Sequence, residues 1–328
     1  MEINYFEYVN NFLKYKDIKS INIIEGRKRD PKITIAIPTY KRNHLIKDAI
    51  NSAVSQISFS DYEIIIVDND NDFNNKELEK IIKEYKNDKI SYYKNEKNMG
   101  MYGNWNRCIE LAKGEYISIL NDDDWLEPNF LKEICKYING KKAIYTETNI
   151  CDFRNICYVN NNSNLKKYIK NVYNKLRKIK KTRKLKLIDF FYENKSAGSL
   201  GILFNREAMV NLGGYNEKFF PSADYFFHTY YCSKYGAILL KKEFCNYRVQ
   251  ENESMKENTA ILWIKQGEDF RRFLIRKYLK NKKYLKECKI SNERFKKSLE
   301  FWGFKFSYDN KLANNKILKI KKYLREIF

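Results

Sequence analysis

The stretch Gly114–Trp125, GEYISILNDDDW, carries the densest set of groups able to do chemistry. Tyr116, Ile117, Ile119 and Leu120 form a short apolar run. Asn121 then leads into three consecutive carboxylates, Asp122, Asp123 and Asp124. An apolar run bounded by Gly and Asn predicts a short buried strand. Three adjoining carboxylates at its end repel one another and resist desolvation, so they persist there only where cations or water neutralise them. Mg²⁺ or Mn²⁺ takes carboxylate oxygens and keeps open positions for substrate phosphates. The plain alternative is a solvated acidic turn that caps the helix after Pro128.

The elements that must position these groups alternate. Ile33, Ile35 and Ile37 run into Pro38-Thr39-Tyr40-Lys41-Arg42, a strand ending in a loop, and a helix follows from Leu45 to Val54. Glu63–Val67 is a continuous apolar strand ending at Asp68-Asn69-Asp70. A helix near Lys76–Tyr85, a strand near Ile90–Tyr93 and a helix from Tyr102 to Ala112 precede the aspartate strand. Apolar strands alternating with helices imply βαβ units and a parallel sheet, an α/β fold. Ligands of such sheets bind beyond the carboxyl ends of the strands. Thr39, Asp68, Asp70 and Asp122–Asp124 all lie just past such ends and are expected to converge on one crevice.

The remainder reads differently. Residues 1–30 predict a helix with Tyr5, Tyr8, Val9, Phe12 and Leu13 on one face, then a basic linker, Arg27–Lys32. Ala143–Thr146 predicts a strand, the basic stretch up to Lys186 a helix, Ile202–Phe204 a strand and Arg206–Leu212 a helix. Gly213-Gly214-Tyr215 marks a turn before an aromatic helix near Asp224, and Ile238–Leu240 a strand. From Ile261 the pattern is helical and basic.

The chain has 328 residues, enough to bury a full core, and a formal charge of +22. The excess is local: Leu165 to Lys195 holds twelve Lys and Arg against two acids, so patches mean more than the total. Those basic stretches read as solvated amphipathic helices, or as faces that attract an anionic acceptor or an anionic membrane surface. No apolar run approaches the roughly 18 residues of a membrane span. The first residues lack signal-peptide features, and seven scattered cysteines suit a reducing cytosol. His44 reads as a surface residue and His228 as core.

The ordered set Pro38-Thr39-Tyr40-Lys41-Arg42, Val67-Asp68-Asn69-Asp70, Asn98-x-Gly100, Asn106, Ala112-Lys-Gly114-Glu115 and LNDDDW resembles the inverting family-two glycosyltransferases, over about Lys32 to Ser254. The resemblance implies the GT-A fold, a Rossmann-like, mostly parallel sheet flanked by helices, here with a basic helical C-terminal extension. It implies nucleotide contacts from Pro38, Thr39, Tyr40, Arg42, Asp68 (to the base), Asp70 (near the ribose), Asn98, Gly100 and Arg107. For Thr39 a helix cap, for Asp68 an Asx-turn and for Arg107 a surface ion pair are the competing roles.

Asn121 stands where the family usually has Asp. Asp123 is therefore the expected metal ligand, Asp122 contacts ribose or metal, and Asp124 orients the motif or faces the donor sugar. Tyr247-Arg248-Val249-Gln250 resembles the family's Tyr-Arg-x-His lid with Gln250 in place of His, so Arg248 and Gln250 are expected near the diphosphate. The segment Gly213-Gly214-Tyr215-Asn216-Glu217-Lys218-Phe219, followed by Ala223-Asp224, resembles the family's approach to its catalytic base. The resemblance implies Asp224 as that base; an acid favoured at a helix N-terminus is the structural alternative.

The implied reaction moves a sugar from a nucleoside diphosphate sugar, UDP-linked by expectation, to a hydroxyl of a glycan or lipid-linked acceptor, with a Mg²⁺ or Mn²⁺ cofactor, in the cytoplasm at the inner membrane face. The expected division is 1–30 as an extension, 31–255 as the transferase domain (31–125 nucleotide-binding, 126–255 acceptor-binding) and 256–328 as the basic helical region. A nucleic-acid-binding protein is the alternative from another class, but no such motif is present and an acidic crevice repels phosphate without metal. A sugar nucleotidyltransferase needs a Gly-rich loop where Pro38-Thr39-Tyr40 stands.

Overall fold

The computed structural model describes residues 3–26, 30–154, 181–195, 198–250, 255–318 and 320–321. Strands β1 (Ser20–Ile24), β2 (Ile33–Thr39), β3 (Tyr62–Asp68), β4 (Ile90–Asn95) and β5 (Tyr116–Ile119) build the first half of a ten-stranded sheet. Helices α1 (Ile46–Val54), α2 (Glu77–Glu84) and α3 (Gly100–Leu111) connect them. The order runs β1-β4-β3-β2-β5, and β4, β3, β2 and β5 are mutually parallel.

Every residue of β2 and β3 is buried, as expected of strands covered on both faces. Their alternation feeds two cores. Ile33, Ile35, Ile37, Ile64 and Ile66 pack with Ile46 and Ile50 of α1 and Ile81 and Ile82 of α2, whereas Ala36, Ile65 and Val67 face Trp105 and Ile109 of α3.

The second half adds β6 (Trp125–Leu126), α4 (Phe130–Ile134), β7 (Ala143–Asp152), β8 (Thr182–Leu185), α5 (Leu187–Tyr192), β9 (Ile202–Asn205), α6 (Arg206–Asn211), α7 (Ala223–Tyr235) and β10 (Ala237–Val249). The sheet continues β5-β9-β7-β10-β6, with β9 antiparallel to both β5 and β7 and β8 beside β10. Helices α8 (Glu257–Leu274) and α9 (Lys283–Ser298) form the helical C-terminal region.

Two expectations are corrected. The N-terminal helix does not form: Asn11–Tyr15 is a short 3₁₀ turn and Ser20–Ile24 is a strand. The alternating, β-branched Ser20-Ile-Asn-Ile-Ile completes the open edge of β4 in antiparallel register, where ladder bonding outweighs a weak helical pattern. Tyr5 and Phe6 are buried against Phe270 and Phe273, while Tyr8 and Leu13 of the expected apolar face are exposed. The basic stretch expected as helix ends in strand β8, paired with β10; residues 155–180 of that expectation lie outside the described residues.

Candidate active site

The carboxyl ends of β2, β3 and β5 open into one cavity of about 990 Å³. Its lining includes Pro38, Thr39, Tyr40, Arg42, Asn98, Gly100, Asp122 and Asp123 from the first half and Asp224 from α7. These nine residues come from four separate stretches of sequence. Of the residues expected to converge past strand ends, Thr39, Asp122 and Asp123 line this crevice, Asp68, Asp70 and Asp124 do not, and the acid of the second half opens into it.

The aspartate motif is tightly held. Leu120 N–H donates to the Ala36 carbonyl at 2.9 Å, which fixes the turn that follows β5 against β2. Thr39 Oγ1 donates to Asp122 Oδ2 at 2.7 Å, and Arg42 Nη1 donates to Asp122 Oδ1 at 3.2 Å and to Asp123 Oδ2 at 2.8 Å. Burial and the Asp123 charge push the Asp122 carboxyl up to about 6, against the pull of Arg42 and Thr39. Burial works against the charged Arg42, but the two carboxylates outweigh it and leave its pKa raised.

Asn121 serves the motif from inside: its Nδ2 donates to Asp124 Oδ2 at 2.8 Å. An aspartate at 121 would set two carboxylates against each other there. Asp124 is fully buried, accepts the Arg248 N–H at 2.9 Å and does not line the cavity, so it orients the motif. Burial and Asp123 raise its carboxyl well above the usual range.

Several expected contacts lie elsewhere. Asp68 is buried, where it accepts from Tyr92 OH at 2.9 Å and from the Asp70 N–H at 2.9 Å, with Lys94 Nζ 3.7 Å away. Burial raises its carboxyl, although those partners pull it down. Asp70 is buried and accepts from the Asp72 N–H at 3.3 Å; neither acid lines the cavity. Asn98 lines it while also accepting from Asn69 Nδ2 at 2.7 Å and the Gly100 N–H at 2.8 Å.

Arg107 turns away. Its guanidinium donates to Ser20 Oγ and to the Tyr15 and Ile18 carbonyls and pairs with Glu110, anchoring the N-terminal segment. Arg248 pairs with Asp48, donates to the Asp123 carbonyl at 2.8 Å and lies over Trp125 and Phe153. It braces the aspartate loop and does not line the cavity. Gln250 follows β10 and does not line it either; residues 251–254 of the expected lid lie outside the described residues.

Asp224 occupies the first turn of α7 and is 8% exposed. Burial pushes its carboxyl up to about 6, against hydrogen bonds from the Tyr225 backbone, Tyr102 and Asn194. Tyr102 OH donates at 3.2 Å to Asp224 Oδ1 and at 2.8 Å to the Pro221 carbonyl. The sequence motifs pass over Tyr102; its place two residues after Gly100, at the start of α3, is the available signal. His228 is core: burial holds it down to about 3, and its Nε2 meets Ser199 Oγ and Tyr215 OH.

The glycosyl transferase family 2 model matches residues 34–191. Residues 34–191 therefore carry a glycosyl transferase family 2 domain.

An uncharacterised glycosyltransferase of Methanocaldococcus jannaschii is 26% identical over 263 residues, covering 79% of this chain and 83% of the relative. A Campylobacter jejuni enzyme named GalNAc(5)-diNAcBac-PP-undecaprenol beta-1,3-glucosyltransferase is 26% identical over 226 residues, covering 69% and 67%. Staphylococcus aureus TarS in complex with UDP-GlcNAc superimposes with a TM-score of 0.55 at 15% identity, covering 90% of this chain and 79% of that one. The mannosyltransferase PcManGT of Pyrobaculum calidifontis, in complex with GDP-Man and Mn²⁺, gives 0.53 at 16% identity, covering 92% and 82%. At such identities the structural likeness establishes the GT-A fold of this glycosyltransferase.

Proposed function

We propose that this glycosyltransferase moves a sugar, with inversion, from a nucleoside diphosphate sugar to a hydroxyl of a glycan or lipid-linked acceptor, working at the inner face of the membrane. One observation carries the reading: Asp224 and the Asp122–Asp123 pair face the same cavity from opposite halves of the chain. The nucleotide lies against Pro38, Thr39, Tyr40, Asn98 and Gly100 in the half spanning 31–125, and the acceptor enters from the half spanning 126–255. UDP is the expected nucleotide. The named relatives support the class, since one carries a lipid-linked diphosphate in its name and one structure holds UDP-GlcNAc.

Two adjacent carboxylates facing a cavity fit a hard divalent cation, which needs only one or two protein carboxylates beside substrate phosphates. Asp123 and Asp122 are the residues that would hold Mg²⁺ or Mn²⁺, whose chemistry is to neutralise charge on the leaving nucleoside diphosphate. Among the described residues no cluster of three or more acidic, His or Cys ligands exists, so substrate would supply the other positions. Arg42, already bridging the two acids, adds positive charge where the phosphates arrive.

Asp224 takes the proton of the acceptor hydroxyl as its oxygen attacks the anomeric carbon. The bond from that carbon to the diphosphate oxygen breaks, and its electron pair leaves with the nucleoside diphosphate. Tyr102 aims the carboxylate and stabilises its ionised form.

Titration of the wild type and Asp224→Asn with UDP in the presence of Mn²⁺, alongside donor turnover, tests this. Equal UDP affinity with turnover lost is the expected result. Full turnover in Asp224→Asn would remove the base assignment, and no UDP binding by the wild type would remove the nucleotide site.

A further inference from the structure

The cavity continues past Asp224, and its far wall is built by α8 and α9, outside the segment matched to the family. Trp263 and Arg271 come from α8, Ser291, Arg294 and Phe295 from α9, and Trp302 from the turn beyond. Ser291 and Arg294 are three residues apart and share one helix face.

Their polar groups are under-used. Ser291 is 4% exposed, and its Oγ has no hydrogen-bond partner among the described residues. Arg294 is half-buried and makes no ion pair or hydrogen bond among the described residues. Arg271 is 4% exposed; it donates through Nε to the Phe191 carbonyl at 3.0 Å and through Nη1 to Asn292 Oδ1 at 2.7 Å, yet pairs with no carboxylate among the described residues. Glu287, one turn before Ser291 on the same face, is engaged by Tyr192 and Lys321. Burying a hydroxyl without a partner and a guanidinium without a counter-charge is costly, and the cost is recovered when an anion binds. Guanidinium groups match phosphate oxygens in paired geometry.

We infer that the α8–α9 end of the cavity is an acceptor subsite that binds a phosphate group carried by the acceptor, with Arg294 as its specificity-determining residue. This rests on the transferase reading above, in which donor phosphates occupy the Asp122–Asp123 end. Trp263, Phe295 and Trp302 supply apolar faces for the sugar or chain attached to that phosphate.

The test uses the full chain saturated with UDP and Mn²⁺, so that the donor end is filled, titrated separately with inorganic pyrophosphate and with farnesyl diphosphate. The wild type should bind at least one probe saturably. Arg294→Gln should weaken it about tenfold or more, Arg294→Lys should weaken it less, and UDP affinity should not change in either. Tighter binding of farnesyl diphosphate assigns the phosphate to a lipid-linked acceptor; equal affinities assign it to a water-soluble phosphorylated glycan. Equal affinity of both probes for wild type and Arg294→Gln overturns the proposal, as does saturable binding of neither probe. Failure of UDP to bind the wild type would instead strike the transferase reading and is measured independently.

Discussion

The two ends of the cavity are made of opposite materials. At the β2–β5 end, carboxylates stand on loops just past buried strands, and each is fixed by a neighbour: Asp122 by Thr39 and Arg42, Asp124 by Asn121 and the Arg248 backbone. At the α8–α9 end, guanidinium groups and a hydroxyl project from helices, and Arg294 and the Ser291 hydroxyl engage nothing among the described residues. The first end is pre-organised by its own chain; the second, on the inference above, would be completed by a bound phosphate. Asp224 lines the same cavity, and in the reaction proposed above it would act where donor and acceptor meet. Preorganised charge belongs where bonds break, whereas unpaired charge belongs where selection occurs.

The largest effect that would sharpen this contrast is at the boundary. Asp224→Asn should lower turnover by about 10²–10⁴-fold, the range of a lost general base, in steady-state kinetics with saturating donor. Because burial holds Asp224 up to about 6, the wild type should also lose kcat/KM as pH falls through about 6, when the base becomes protonated. The sign for stability is opposite: ionising this buried carboxyl costs folding energy above pH 6, so Asp224→Asn should melt no lower than the wild type at pH 8. A lower melting temperature would mean that the carboxylate is structural.

At the acidic end, Asp123→Asn should weaken the Mn²⁺ dependence of UDP binding by about tenfold or more while leaving metal-free affinity nearly unchanged, measured by calorimetry. Equal Mn²⁺ dependence in the variant would mean that the cation is held elsewhere.

A third change probes the frame. Gly213 has φ +86°, and a Cβ there would lie 2.0 Å from the Val9 carbonyl oxygen. Its own carbonyl accepts from the Asn11 N–H at 3.0 Å, holding the N-terminal segment. Gly213→Ala should cost about 1–3 kcal/mol in denaturant unfolding.

The smallest effect belongs to Tyr102→Phe. Removing its hydrogen bond to Asp224 should move the acid limb of kcat/KM upward by roughly half a unit to one unit, with UDP affinity unchanged. An unmoved limb would deny Tyr102 its positioning role.

Much of the fold and of the acidic end was legible. The fully apolar β2 and β3 announce strands covered on both faces, and strand ends announce the crevice. The residues misplaced from sequence include Asp68 and Asp70, held by local partners, and two with long side chains. Arg107 and Arg248 stand at positions the family motifs suggest, but each guanidinium turns to a partner brought from afar, Arg107 to the N-terminal segment and Arg248 to Asp48. The N-terminal strand escapes a sequence reading for a similar reason, because the open edge of β4 that recruits it is absent from the local pattern.

Sequence alone determined the alternation of strand and helix, the turn residues and the placement of Thr39 and Asp122–Asp124 past strand ends, because backbone period and side-chain burial are local properties. Tertiary structure alone decided which charges are paired and which are not. Arg42, Arg107, Arg248 and Arg294 look alike in the chain. Yet one bridges the acids, two brace loops and one faces the cavity without a partner among the described residues. A guanidinium on a long stem goes to whatever acceptor lies within reach, and reach is set by contacts between residues far apart in the chain.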